Sequence, residues 1–505
     1  MSRVGLVTTF RFAPFGDDED GQASVERCWS TLSSFLLFHL AKGVEHIFLY
    51  ADADDNSNQI YIERITKDFR SSQVSVDVRD ESQRKRQQEK CLLWNELGSI
   101  SATEVPARQS LNAEEALGTA GEMGLNWLLH LDIDELFYTS EPSIKPHFER
   151  LNSLGVDQMT YANHEAVPAH ENVADYFSEV DLFRVNHLVL PISREVGEGT
   201  RFWRRRTGHG QYMLAYDNGK AAVRVLPGRV VPQSVHRWRP LKPDENLRLA
   251  SRDGERAPEA RELVNRSALV DPRELNFDEV LECGDPCVLH YASCGLDWLR
   301  DKYRLLGNFP SSWFGGKLPI APCFHLDARN AMRDAAAAPK ETDSRVACDD
   351  GEDEEEEGRK DRIRELYHNE VMLCRREHAE EIRAQLLHGV LQVITGPASV
   401  IAQARQDARG SPGSGRTPTT ISTMAGLSQP WSQSREEEGA REGARVVSVT
   451  EMLTAPSLES EGGAAPPFGA ASQDRLPTNV ASLEGDASSG IENSWILAAC
   501  ARDFL

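Results

Sequence analysis

The sequence is poor in positive charge, in cysteine and in long apolar runs, and each shortage excludes something. Lys and Arg number 56 against 79 Asp and Glu, a net charge of −23 over 505 residues. A nucleic-acid binder needs a basic face, so no nucleic-acid partner is expected. Much of the acidic excess is concentrated in residues 349–357 (DDGEDEEEE), which leaves the rest nearer balance. The 9 cysteines do not make a disulfide scaffold at this length, and an odd count leaves at least one thiol free. No run of about 18 apolar residues occurs, so no membrane span is encoded. The start, MSRVGLVTTF, enters a strand-like pattern with no apolar leader core. Neither a G-x-x-x-x-G-K-S/T loop nor a G-x-G-x-x-G turn is present, and no Ser/His/Asp or Cys/His hydrolase arrangement stands out. Over residues 397–505 the only aromatics are Trp431, Phe468, Trp495 and Phe504. That is too few to build a core, and the Ser, Gly, Ala, Pro and Glu composition reads as a disordered tail over 398–505.

What is present is an alternation of strands and helices. Residues 4–9 read as a short buried strand. Val25, Cys28, Trp29, Leu32, Phe35, Leu36 and Leu40 fall at helical spacing over residues 24–42, and Gly43 is a natural stop. Strands follow at 44–50, 74–78 and 127–131, with helices expected at 57–70, 82–98 and 111–124. This order predicts an α/β fold with a mostly parallel sheet flanked by helices. Ligands in such sheets bind beyond the carboxyl ends of the strands. Three polar strand ends converge there: Thr8 and Thr9 with Arg11, Asp52 with Asp54, and Asp132 with Asp134. Further on, strands are expected at 221–226, 230–235 and 288–291, and a helix at 296–307. The alanine-rich and acidic stretch 335–360 reads as a disordered insertion, and helical periodicity returns over 361–394. The expectation is one catalytic domain over residues 1–397 carrying that insertion, then the tail.

The strongest motif is NWLLHLDIDELFY at 126–138, where an apolar run ends in Asp132-Ile133-Asp134-Glu135. An acidic cluster at the end of a buried strand is costly unless a cation sits there. A divalent metal with oxygen ligands, shared with a diphosphate, is the usual solution. Alternate residues of an extended chain face one side, so Asp132 and Asp134 can look into one site. The bland alternative is a solvated helix start, which DIDE would also cap well. A phosphatase-type D-x-D-x-T reading fails at Leu136, where a hydroxyl should stand.

Other signals are weaker. Asp52, Asp54, Asn56 and Glu63 imitate a calcium loop, but Ser57 takes the place of the required glycine and a strand precedes it. Cys283, Cys287, His290 and Cys294 are possible zinc ligands without the paired C-x2-C spacing of known modules. Arg201 to Arg206 (RFWRRR) is a basic cluster suited to an anionic sugar, a membrane surface or a phosphate, or to a plain solvated face. Asn265-Arg266-Ser267 is a glycosylation triplet expected by chance in a chain this long.

Several segments together resemble glycosyltransferase family 92 and its family 2-like relatives. They are residues 4–9 with Arg11, FLLFHLAKGVEHIFLY, Arg108-Gln109 with Asn112, WLLHLDIDELF, Asn218-Gly219-Lys220 with Val223-Arg224, Val235-His236, and LHYASCGLDWLRDKYRLLGNFP over 289–310. The resemblance covers roughly residues 3–330. It implies a GT-A-like, Rossmann-like fold and transfer of a sugar, galactose being one candidate, from a nucleoside-diphosphate sugar, UDP-linked by preference, to a glycan or glycoprotein hydroxyl. It further implies Mn²⁺ or Mg²⁺ held by Asp132 and Asp134, with His290 or His236 as a further ligand. Thr8, Arg11 and Asp52 would surround the nucleotide, Gln109 and Asn112 the donor, and Lys220 and His236 the phosphates or acceptor. Family members usually carry a membrane anchor ahead of the catalytic domain and work in the Golgi or secretory lumen; no anchor is encoded before this first strand. For an inverting transfer a carboxylate base is required, and Glu165 is chosen ahead of Glu171, Asp175 and Asp181. The alternative is a non-catalytic glycan-binding or scaffold protein on a degenerate transferase fold, and a third reading is a nucleotidyl- or phosphotransferase using the same metal.

Overall fold

The computed structural model describes residues 2–12, 19–52, 58–242, 247–251, 285–337 and 361–409. In chain order the strands are β1 (Val4–Phe10), β2 (His46–Ala51), β3 (Val74–Val78), β4 (Trp127–His130), β5 (Glu135–Tyr138), β6 (Gln158–Tyr161), β7 (Asn163–Ala166) and β8 (Leu182–Arg184). They continue with β9 (Lys220–Arg224), the hairpin β10 (Val230–Pro232) and β11 (Trp238–Pro240), β12 (Leu249–Ser251) and β13 (Cys287–His290). A short hairpin, β14 (Ser312–Trp313) with β15 (Leu318–Pro319), and β16 (Leu391–Val393) complete the set.

One sheet of 7 strands runs β12-β6-β9-β4-β1-β2-β3. The β1/β2, β2/β3, β1/β4 and β6/β12 pairs are parallel, and β9 is antiparallel to both β4 and β6. The expected α/β architecture is therefore present, with the parallel run at β4-β1-β2-β3. A second sheet of 5 strands, β16-β8-β7-β13-β5, is mostly antiparallel, with only β7 and β13 parallel.

Period-two alternation decides what each face meets. Val4, Leu6 and Phe10 of β1 and Trp127 and Leu129 of β4 join the cluster containing Cys28, Leu32, Phe35 and Leu36 of the helix Glu19–Ala41. Val7 and Leu128 point the other way, onto Ala113, Ala116, Leu117 and Ala120 of the helix Val105–Glu122. Those alanines let the second helix lie close to the sheet. That proximity brings its polar residues to the strand ends.

Several boundaries differ from expectation. The helix expected at 111 begins at Val105, because Pro106 suits a first turn; this puts Arg108 and Gln109 on helix. The stretch 82–98 divides into Glu81–Lys90 and Trp94–Leu97, with the Glu114 carboxylate accepting from the Leu92 and Leu93 amides at the break. The long helix expected over 361–394 is broken into Arg362–Leu366, a π-turn over Tyr367–Val371, Ala379–Leu387 and the strand β16. Gly389, at φ +70°, ends the last of these helices, and pairing with β8 makes the next residues a strand.

The expected boundary at 397 also moves. A helix, Gly396–Arg409, lies on Glu19–Ala41 with Ile401 fully buried and Arg405 donating to Asp175 and Ser34. Residues 410–505 and 338–360, most of the two stretches expected to be disordered, lie outside the described residues, while 335–337 close the helix Phe324–Ala337. Asp54, Asn56, Cys283 and the triplet at 265–267 also lie outside them. No described helix is long and apolar enough to cross a membrane.

Candidate functional site

The acidic motif is the hinge between the two sheets. β4 ends at His130, the chain turns with the Glu135 amide donating to the Asp132 carbonyl at 3.1 Å, and β5 begins at Glu135 in the other sheet. No helix starts here, so the helix-cap alternative does not hold.

Each carboxylate of this turn meets a different partner. Asp132 accepts from Gln109 Nε2 at 2.6 Å and from Lys220 Nζ at 2.7 Å. Asp134 accepts from Lys302 Nζ at 2.9 Å, and His290 Nε2 stands 3.7 Å from its other oxygen. Glu135 is fully buried. It accepts from the Asp132 amide at 2.7 Å and from the Tyr216 hydroxyl, with Lys220 Nζ 3.6 Å away. Burial pushes Asp132 and Asp134 up, but Lys220 and Lys302 outweigh it and hold both below the usual carboxylate range. Glu135 is pushed up to about 8 by burial, reinforced by its two anionic neighbours against Lys220. At neutral pH it is the protonated member of the three.

Lys220 is placed by a backbone that only glycine tolerates. Gly219 has φ +75°, and a Cβ there would lie 2.1 Å from the Tyr161 carbonyl. The chain then enters β9 with the Lys220 side chain buried, its ammonium also donating to the Val235 carbonyl at 3.2 Å. His236 packs beside it, with Nδ1 2.9 Å from the Gly219 carbonyl and its ring 4.5 Å from Tyr216. Burial lowers the His236 pKa well below its ordinary value, and lowers that of His290 as well.

Two small pockets lie among the polar residues around the turn. One, a depression with room for about one water molecule, opens at the ends of β2 and β3 and is lined by Asp52, Arg79, Arg84, Gln83, Gln87, Arg108 and Asn112. Asp52 is held bidentately by Arg108 at 2.6 and 2.7 Å, with Arg79 at 3.6 Å. Both of its oxygens are thus taken by guanidinium, which removes the calcium-loop reading. Asn112 donates to Thr9 Oγ1 at 2.9 Å and accepts from Gln83 and Gln87. Arg108, Gln109 and Asn112 share one helix, so the helix that lines this cavity also grips Asp132.

The other pocket, with room for about one or two water molecules, lies against the second sheet and is lined in part by Glu165, Arg184, His290, Ser293 and His325. It reaches the turn through His290. Glu165, the base chosen from the sequence, is fully engaged there. It pairs with Arg184 and accepts from the Leu214 and Ala215 amides at 2.9 and 2.6 Å. Such a carboxylate organises the fold of β7, β8 and the 214–215 loop, and no geometry favours it as a base. Arg184 in turn stacks on Trp203, 4.4 Å from the ring centroid. The expected basic cluster is thereby divided: Trp203 is buried, Arg206 donates to the His368 and Met372 carbonyls, and Arg201, Arg204 and Arg205 are exposed.

Of the other expected residues, Thr8 is buried with its hydroxyl unpartnered, and Arg11 is exposed just past β1; neither lines either cavity. Arg108, Glu135, Tyr216 and Lys302 were not singled out as site residues from the sequence, although all but Tyr216 lie inside segments that carry the family resemblance.

The chemistry of the donor set bears on a divalent ion. Asp134 and His290 present an oxygen and a nitrogen to one point, which is what Mn²⁺ accepts. Among the described residues no group of three His, Cys, Asp or Glu could hold a metal, so the remaining ligands would be phosphate oxygens and water. Asp132, satisfied by Gln109 and Lys220, is a second-best ligand. Cys287 and Cys294 are buried apart from any such group, so the described residues contain no zinc site.

These features define an α/β protein with a carboxylate-lysine turn at the junction of its two sheets. Comparison with known proteins takes the description further. The chain matches no protein-family model. It is 29% identical over 223 residues to two Arabidopsis thaliana proteins, Glycosyltransferase-like At2g41451 and Glycosyltransferase-like At3g57200. The match covers 42% of this chain and 47% and 41% of those proteins, so the chain spans less than half the length of either. Their names support a glycosyltransferase. A solved structure of a CMP:2-keto-3-deoxy-manno-octonic acid synthetase complexed with CTP shares 11% identity over 34% of this chain and 61% of that one. Its TM-score is 0.16, and no argument rests on it.

Proposed function

We propose that this chain transfers a sugar from a nucleoside-diphosphate sugar, UDP-linked in the first instance, to a hydroxyl of a glycan or glycoconjugate, with Mn²⁺ or Mg²⁺ at the turn. The observation that supports the reading is the 132–134 turn past the end of β4, where two aspartates meet two lysines and a histidine. The ammonium groups of Lys220 and Lys302 at the turn are the positive charge that a diphosphate requires.

Lys302 and Lys220 are the fixed positive charges beside that diphosphate. Asp134 and His290 would hold the metal, which supplies Lewis-acid stabilisation of the leaving diphosphate when bound. The lysines act in the same sense, because preorganised charge aimed at the leaving group lowers the barrier without reorganisation at the moment of reaction.

The test is calorimetric titration of UDP into the full chain, with and without Mn²⁺, beside Asp134→Asn. Metal-dependent binding that disappears in the variant is expected. Equal UDP affinity with and without metal, unchanged in Asp134→Asn, would remove the metal from the proposal. Absence of binding by UDP and by other nucleoside diphosphates would favour the non-catalytic glycan-binding reading.

A further inference from the structure

We propose that one internal water joins Glu165 and Arg184 to His290 Nδ1, so that Glu165 positions His290 for a metal ion at Asp134. This rests on the metal-dependent reading above.

The second sheet carries a polar row that runs straight across its strands. Its register pairs Arg184 of β8 with Glu165 of β7, Glu165 with His290 of β13, and His290 with Glu135 of β5. Residues paired directly across strands face the same side of a sheet, with Cβ atoms about 5 Å apart. All four are buried. The row therefore leads from Arg184 to the acidic turn. His290 is its link to Asp134, with Nε2 3.7 Å from that carboxylate.

The row is hydrogen-bonded at both ends and open in the middle. Arg184 Nη2 donates to Glu165, and the Tyr216 hydroxyl donates to Glu135. Glu165 and His290 stand side by side with no bond between them. Among the described residues His290 Nδ1 has no partner, nor have Arg184 Nη1 and Nε. Arg184 and the Leu214 and Ala215 amides draw the Glu165 carboxylate away from the imidazole and take three of its roughly four lone-pair positions. The pocket with room for about one or two water molecules is lined by Glu165, Arg184, His290 and Ser293. Buried polar groups left unpaired are costly, and a water with three polar neighbours satisfies them. Arg184 Nη1 donates to it, it donates to the remaining Glu165 position, and His290 Nδ1 is its third partner. A halide suits the space less well, because the Arg184 charge is already matched by Glu165, whose carboxylate a second anion would face.

The consequence falls on Nε2. A histidine binds a metal through a nitrogen lone pair, so with Nε2 on the metal Nδ1 carries the proton, and that proton needs an acceptor. The water is that acceptor, and a carboxylate holds it in place. Without metal, Nε2–H faces Asp134 and the same water donates to Nδ1. A carboxylate bonded directly to Nδ1 accepts only, and would hold one tautomer in both states.

Two measurements on the full chain test this. In a crystal structure a solvent peak is expected about 2.7–3.2 Å from His290 Nδ1, within the same range of the Glu165 carboxylate and Arg184 Nη1. An empty space there, or a direct bond from His290 Nδ1 to Glu165, overturns the proposal. In calorimetry UDP is titrated with and without Mn²⁺ into wild type, into Glu165→Gln, and into the double variant Glu165→Gln with Arg184→Gln, which strands no charge. Affinity in Mn²⁺ is expected to fall about 10–100-fold in both variants, the usual cost of removing such a support. Metal-free UDP affinity and the melting temperature of the double variant are expected to stay near wild type. Unchanged affinity in Mn²⁺ in either folded variant, or an equal loss with and without metal, overturns the proposal, because a merely structural role would weaken both alike. If neither variant folds, the solvent peak alone decides. A wild type whose UDP affinity ignores Mn²⁺ refutes the metal reading above, a failure that shows before any substitution is made.

Discussion

Lys220→Met gives the sharpest test of how the site is held together. Lys220 is 1% exposed and Asp132 27% exposed, with 2.7 Å between charged atoms. Removing one partner of a fully buried pair costs about 3–5 kcal/mol, mostly because a charge is left behind. Solvent reaches Asp132 here, and Glu135 carries its own proton at pH 7, so only one charge is stranded and the expected cost is about 2–3 kcal/mol. The double variant Lys220→Met with Asp132→Asn strands no charge. It should recover about 1.5 kcal/mol or more relative to the sum of the single variants, the coupling expected of groups in direct contact. Urea denaturation of wild type, both single variants and the double variant closes the cycle. Additivity within about 0.5 kcal/mol would show that the two residues do not neutralise each other in the folded protein.

Two further outcomes test the fold around the site. His39 joins the first helix to β5, with Nδ1 2.9 Å from the Phe35 carbonyl and Nε2 accepting from the Phe137 amide, and burial lowers its pKa from 6.5 to about 3. The unfolded chain therefore binds the proton first. This contribution is complete above pH 6.5 and is lost as pH falls toward 3, up to about 1.4 kcal/mol per pH unit; the urea midpoint of wild type should drop more steeply between pH 6.5 and 5 than that of His39→Gln, and equal slopes would contradict the assignment. A chain ending at residue 397 loses buried Ile401 and leaves Asp175 without Arg405. It should be less stable than one ending at residue 409 by at least about 3 kcal/mol, and equal melting temperatures would mean the last helix contributes nothing.

The sequence by itself determined the strands β1 to β4, their alternation with helices and the place of the acidic motif. Those follow from local rules: an apolar run such as WLLH is a buried strand, and Asp132 and Asp134 can only lie at its carboxyl end. It also marked Gln109 and Lys220 as neighbours of the motif, through a resemblance rather than through spacing. The tertiary structure decided the rest. Lys220 and Lys302 lie 88 and 168 residues from their aspartates, and periodicity says which face a residue takes but not what it meets there. For the same reason Glu165 looked available as a base until β8 brought Arg184 against it. The break of the 361–394 stretch into helices and a strand depended on β8 as a partner, and the helix over 396–409 depended on a groove on the first helix.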